Sequence, residues 1–188
     1  MDDAKKVKKK SPGKVFEDDF AKSFVADINL QRLKDAAGWG DKEEDGGAEG
    51  IAENRAKKAD AEGGEQKGKK RFTINNPADF VLAIPGGMHY LELKSVAGES
   101  VPFGNLKQHQ VMELAKLSGK RFTRCSFVFN FRRKQETYLI DARDIYREYT
   151  TSERKSFSRE WCRKHGQHIP QTLLRTRFRY EVDNLTEA

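Results

Sequence analysis

Asp79, Glu92 and Lys94 combine two hard oxygen donors with a mobile cation, and the stretch that carries them offers a way to bring them together. Two apolar runs, Phe80 to Ile84 and Met88 to Leu93, flank Pro85-Gly86-Gly87, the pattern of a β-hairpin. With Gly86 and Gly87 as the loop, Pro85 faces Met88, Val81 faces Glu92 and Asp79 faces Lys94. Side chains alternate along a strand. Phe80, Leu82 and Ile84 then share one face with Leu91 and Leu93, and Asp79, Glu92 and Lys94 share the other. The two acids become diagonal neighbours, roughly 7–8 Å apart at the backbone and closer at their carboxylates. That suits two oxygens on one divalent cation. A slip of one residue would scatter the three over both faces, whereas a slip of two would not. A solvated polar face, common in antiparallel sheets, accounts for the same pattern.

Two helices must position whatever surrounds this hairpin, and each carries a polar residue inside an apolar stripe. Ser11-Pro12 is a helix start, with Ser as N-cap and Pro in the first turn. Phe16, Phe20, Phe24 and Ile28 step by four toward an end near Lys34. Counting about 100° per residue, Glu17 falls between Phe24 and Ile28 on that stripe, where a carboxylate is costly unless paired or metal-bound. Asp18 and Asp19 project away, toward solvent. The second helix is expected to be capped by Asn105, to run from Leu106 to Ser118 and to stop at Gly119. Its inner face holds Leu106, Gln110, Leu114 and Leu117; Gln110 is either a buried amide bonded to backbone or part of a site. Both helices are expected to pack so that Glu17 and Gln110 converge on the Asp79–Glu92 side.

The chain of 188 residues suffices for one domain with a real core. A charged fraction of 35% against a hydrophobic fraction of 36% argues for a modest core plus solvated segments. The net charge of +7 favours a polyanionic partner such as nucleic acid. Cys125 and Cys162 have no metal-ligand spacing and read as reduced thiols. His165 and His168 lack the further ligands a zinc site needs. No apolar run approaches membrane-spanning length, and Lys5 to Lys10 precede no apolar stretch, so a soluble, cytoplasmic protein is expected.

The single domain 1–188 contains a basic flexible tail, 1–10, and a flexible Gly- and charge-rich insertion, 36–70. Residues 71–75 read as a short strand and 121–132 as a central one, followed by a basic turn at Arg132-Arg133-Lys134 and a strand over 137–140. Asp141 or Ala142 opens a helix to about Tyr149, and 156–158 begins another ending near Gly166. Leu174 to Val182 alternates apolar residues with Arg175, Arg177 and Arg179, a half-buried strand whose arginine face could hold phosphates.

A helix with an acid, a hairpin with D…ExK and a helix with Gln, in that order, resembles the PD-(D/E)xK nuclease superfamily. Its fold is α/β: a restriction-endonuclease-like core of mixed β-sheet flanked by helices. Within it the chain is most similar to RecU-type Holliday junction resolvases, phage-encoded forms in particular. Gly13-Lys-Val-Phe-Glu17, Asp79-Phe80, Leu91-Glu-Leu-Lys94 and Asn105-Leu-Lys-Gln-His-Gln110 carry the match. The motif reads Pro-Ala-Asp where the family has Pro-Asp, and the family's stalk corresponds to the Gly-rich segment 36–70. The resemblance implies Asp79 and Glu92 as metal ligands supported by Glu17, Lys94 as catalytic, and Gln110 as positioning water or phosphate. The set Glu17, Asp79, Glu92, Lys94 and Gln110 would use Mg²⁺, with Mn²⁺ as substitute. It further implies paired symmetric nicks in four-way DNA by a homodimer in recombination and repair. DNA contacts are expected from Lys14, Lys69, Lys70, Arg71, Lys107, Arg132, Arg133, Arg175, Arg177 and Arg179. Competing readings are a flap, mismatch or restriction-type enzyme on the same core, and a DNA-binding protein without catalysis.

Overall fold

The computed structural model describes residues 10–24, 30–32 and 77–185. The tail to residue 9, the insertion 36–70 and the strand expected at 71–75 lie outside the described residues, as does Ile28.

The first helix, α1 (Pro12–Ser23), starts where the sequence says it should: Ser11 Oγ accepts the Lys14 N–H at 3.4 Å and Pro12 opens the first turn. It does not run to Lys34. Ser23 turns its hydroxyl back onto the Asp19 carbonyl (2.9 Å) and accepts the Tyr180 N–H (2.8 Å), so the last turn is spent docking rather than continuing. Leu30–Arg32 is instead a strand, β1, on the edge of the sheet.

The hairpin forms from β2 (Phe80–Ile84) and β3 (Gly87–Val96), but its register differs from the sequence reading by two residues. Ile84 pairs with Gly87 and Phe80 with Leu91, so the turn is Pro85-Gly86. Proline pre-sets the first turn position and Gly86, at φ +85°, takes the second, where an L side chain would be strained. A two-residue shift preserves the faces. Phe80, Leu82, Leu91 and Leu93 lie in one apolar cluster, with Ile84 against it.

Strand β3 pairs in parallel with β5 (Thr123–Phe131), the buried centre of the sheet, and β5 pairs antiparallel with β6 (Glu136–Asp141). The six-stranded order is β1-β2-β3-β5-β6-β8, with β8 at Gln167–His168. It is a mixed sheet with helices on both faces, the restriction-endonuclease-like α/β arrangement. On one face α1 lays Phe16, Phe20 and Phe24 against Phe80, Leu82, Leu91, Leu93 and Val128. Each such side chain, fully buried, contributes about 1.5–3 kcal/mol. On the other face α2 (Gln108–Ser118) and α3 (Ala142–Thr151) cover Val96, Phe127, Phe129 and Phe131. The two helices that were expected to converge on one side thus sandwich the sheet between them.

Helix α2 begins two residues later than expected. Phe103–Asn105 forms a 3₁₀ turn closed by Leu106 N–H on the Phe103 carbonyl (3.0 Å), and Leu106 stays extended as it enters the core. Asp141 caps α3, accepting the Arg143 N–H at 2.7 Å. Residues 156–158 are not helical: β7 (Ser156–Ser158) pairs with β4 (Ser100–Pro102), which buries Phe157 among Phe103, Phe129 and Trp161. Ser158 then caps α4 (Arg159–His165) through the Trp161 N–H, 3.1 Å. The long strand expected over 174–182 is a hairpin of β9 (Gln171–Leu174) and β10 (Arg177–Tyr180), turned at Arg175-Thr176 with Arg175 at φ +48°. Its partner is α1: the Asp19 carboxylate pairs with Arg177 and accepts the Phe178 N–H at 3.2 Å. Asp19, read as solvated from the sequence, is buried and ties the two ends of the chain together.

Candidate active site

Asp79 sits where β2 parts from β3. Its N–H donates to the Leu91 carbonyl (3.1 Å) and its Oδ2 accepts the Leu93 N–H (2.9 Å), so the carboxylate takes over the ladder at the strand's end. One step beyond the Phe80–Leu91 pair, the register sets Asp79 across from Glu92 rather than diagonal to it. Both acids are buried, 3% and 1% exposed, in a place where an ionised carboxylate needs partners. Glu92 has two of them: Lys94 donates to Oε1 and Gln110 Nε2 to Oε2 at 3.0 Å. Lys94 reaches Glu92 because i and i+2 share a strand face, and its side chain remains 21% exposed.

Gln110 arrives from α2 on the same face. Its amide donates to Glu92, while its own Oε1 is buried without a hydrogen-bond partner. Such an orphaned acceptor beside two carboxylates is a place for a proton donor, and a water molecule has the right size and chemistry. The buried-amide alternative is set aside by this contact, because Gln110 bonds the acid and not the backbone.

Asp79, Glu92, Lys94 and Gln110 are therefore assembled on one face, at the end of β3 that leads toward Val96. Glu17 is half-buried on α1 beside Phe16 and lies 3.5 Å from Lys14 Nζ, which ties Lys14 to the helix's own acid. Among the described residues no group of three His, Cys, Asp or Glu side chains is arranged to hold a metal ion. The pair Asp79–Glu92 nevertheless has the donor chemistry for Mg²⁺, which keeps several waters and uses one or two carboxylates plus substrate phosphates. The unpartnered Gln110 oxygen fits a water held beside that pair.

Of the basic residues singled out, Lys69, Lys70 and Arg71 lie outside the described residues. Lys107 is exposed one turn before Gln110. Arg132 donates to Ser95 Oγ (3.0 Å), next to Lys94, and Arg133 is exposed in the turn after β5. Arg175 and Arg179 are exposed on the terminal hairpin, while Arg177 spends its charge on Asp19.

A polar network behind Lys94 was not read from the sequence. Ser95 Oγ donates to Asn130 Oδ1 (3.0 Å), Asn130 Nδ2 to Thr137 Oγ1 (2.8 Å), and Thr137 Oγ1 to Gln171 Oε1 (2.6 Å). It fastens the base of the β9–β10 hairpin to the strand that carries Lys94. The available signal was Asn130, a lone amide between Phe129 and Phe131. Cys125 and Cys162 are free, buried thiols whose pKa burial pushes up to about 12. His165 stacks on Trp161 at 4.5 Å.

An acid where one hairpin strand begins, Glu-x-Lys on its partner and a mixed sheet between helices define a nuclease of the restriction-endonuclease-like class. The model of the RecU family, recombination protein U, matches residues 58–181, about two thirds of the chain. The chain belongs to the RecU family, the Holliday junction resolvases that its motifs resemble. The match contains Asp79, Glu92, Lys94 and Gln110 but ends short of α1, so Glu17 and Lys14 lie outside it. No curated protein matches the chain. Among the described residues no helix is long and apolar enough to cross a membrane.

Proposed function

We propose that the protein is a Mg²⁺-dependent endonuclease that resolves Holliday junctions by paired, symmetric nicks. The observation that carries this reading is the convergence on Glu92: Asp79 across from it, Lys94 on one oxygen, Gln110 on the other. Asp79 and Glu92 would hold the metal ion; the support that the resemblance assigns to Glu17 would have to come from α1, which packs on the opposite face of the sheet. When bound, Mg²⁺ would supply charge neutralisation at the phosphate and acidify a coordinated water.

The chain's own residues do the rest. Gln110 Oε1 accepts a hydrogen from the attacking water and fixes its orientation relative to Glu92. Lys94 swings on a flexible stem from Glu92 Oε1 toward the scissile phosphate and stabilises the charge growing on its oxygens. Glu92 shares its surplus charge between Lys94 and Gln110, which keeps both side chains aimed at one point. The products would be a 5′-phosphate and a 3′-hydroxyl. Symmetric nicking of a four-way junction needs two such sites about a two-fold axis, hence a homodimer. A mass of twice the 21.5 kDa of one chain in light scattering supports that. The Glu92→Ala protein is expected to bind a four-way junction with wild-type affinity and to cut it more than 100-fold slower in Mg²⁺. Retained cutting overturns the site. Equal cutting of linear duplex by the wild type moves the reading to a restriction- or flap-type nuclease on the same core.

A further inference from the structure

The β9–β10 hairpin is a built arm with an unusual tip. From Gln171 to Tyr180 it has three arginines and no acid. Leu173 and Leu174 stand 51% and 52% exposed just before the turn. Single exposed leucines are ordinary on a protein surface. Two in succession, at a turn that holds Arg175 at φ +48°, with Arg179 exposed nearby, are not explained by the core.

The arm is held at both ends of its length. At its base Gln171 is bonded to Thr137 and Asn130, and Asn130 to Ser95, the residue after Lys94. Along its second strand, the Asp19 carboxylate takes Arg177 and the Phe178 N–H, and Ser23 Oγ takes the Tyr180 N–H. A rigid hairpin rooted beside the strand of Lys94, with Arg175 and Arg179 exposed and leucines at its end, matches a polyanion that exposes unstacked bases. Proteins that kink DNA insert such apolar wedges between base steps, and flanking arginines hold the phosphates.

We propose that Leu173 and Leu174 seat against the unpaired or unstacked bases at the centre of a branched DNA, with Arg175 and Arg179 on the flanking phosphates. This rests on the proposed function and adds how the branch is recognised. The occupant is DNA and not a second copy of this chain, because Arg177 is already neutralised by Asp19 while the exposed Arg175 and Arg179 would face the same two cations on a second copy.

The test uses the full-length protein, metal chelated with EDTA, and a four-way junction carrying 2-aminopurine beside the branch point. Wild type is expected to raise the fluorescence on binding. Leu173→Ser with Leu174→Ser is expected to abolish the rise and lower the junction-over-duplex preference about fivefold to tenfold, with unfolding temperature and mass unchanged. Should the double change unfold the arm, Leu174→Thr reads the same quantities. An unaltered rise and preference in the variant overturns the wedge. A drop in oligomeric mass overturns it too, because the leucines then cover a second copy. Cleavage by wild type in Mg²⁺ reports on the function separately: junctions cut without a fluorescence rise keep the function and remove the wedge.

Discussion

Lys94 and Gln110 occupy the two oxygens of one buried carboxylate, so each should be separable from the other by kinetics. Lys94→Met removes the cation expected at the developing charge and should lower kcat on a four-way junction by about 100-fold or more with KM little changed. Lys94→Arg should not restore it, because a planar fork cannot replace a compact ammonium at this spot. Gln110→Leu fills the same volume but removes both the bond to Glu92 and the orphaned acceptor, and a loss of about 10- to 100-fold is expected. Wild-type turnover in Gln110→Leu would return Gln110 to the role of a core amide. A second residue-scale expectation concerns His89, 3% exposed on the opposite face of β3 and bonded to Ser126 Oγ at 2.9 Å. Burial, helped by the charge of Arg124, lowers its pKa to about 4; Asp141 pulls the other way, and the Leu185 backbone exerts the smallest pull. Its Nδ1 has no hydrogen-bond partner of good geometry, which agrees with a neutral ring. The unfolded chain takes up this proton below about pH 6.5, the folded one only near pH 4. Stability from this group is therefore whole above pH 6.5 and falls by about 3 kcal/mol as the pH drops to 4. Urea unfolding at pH 7 and pH 4.5 should show that loss in wild type and a smaller one in His89→Asn. At this scale the sequence was most readable where neighbours were local: period-two alternation put Asp79, Glu92 and Lys94 on one face whichever even register held. Asp19 was not readable, because its partner Arg177 is 158 positions away.

The elements bear out the same division between local and long-range information. The N-cap of α1, the extent of β5 and the Asp141 cap of α3 follow from residue types within a few positions. The end of α1, the start of α2 and the nature of 156–158 do not, since each is decided by what it packs against: Tyr180, the core around Leu106, and the edge of β4. The hairpin turn shows why two adjacent glycines were hard to apportion. Gly86 supplies the positive φ of the turn, and a Cβ built on it meets open space. Gly87 is in the strand, and a Cβ there would lie 2.0 Å from the Phe122 carbonyl oxygen, which also accepts the Met88 N–H at 2.9 Å. Phe122 is itself at φ +61°, so its backbone has little freedom to withdraw. Gly86→Ala should thus cost about 1 kcal/mol, the strain of the turn alone. Gly87→Ala should cost several times that, about 3 kcal/mol or more, because backbone must move. Equal unfolding free energies for the two variants would show that the turn residue is Gly87 after all.

For the molecule as a whole, the informative geometry is where the insertion joins the nuclease. Arg32 pairs with Phe80 at the end of the β1–β2 ladder, and Asp79 follows directly. Arg32 and Asp79 therefore lie close to one strand spacing apart, about 5 Å, at the end of the sheet that carries the acid. Loop closure across such a gap needs few residues, and each halving of a loop changes the closure entropy by only about 0.6 kcal/mol. Replacing 36–70 by a short Gly-Ser linker should therefore leave the unfolding temperature within about 3 °C of wild type. It should also leave the residues around Glu92 intact, since Leu93, Lys94 and Gln110, which bond the two acids, come from β3 and α2. What the replacement should lower is selectivity, because the resemblance puts the family's stalk in the corresponding region. The shortened protein is expected to favour the four-way junction over linear duplex in Mg²⁺ by no more than the roughly fivefold to tenfold that the terminal hairpin contributes, where the intact protein favours it more strongly. A shortened protein that keeps full junction preference would assign selectivity to the described body, with the terminal hairpin foremost. One that unfolds would show that residues of the insertion complete the core, which the two buried clusters on the faces of the sheet do not require.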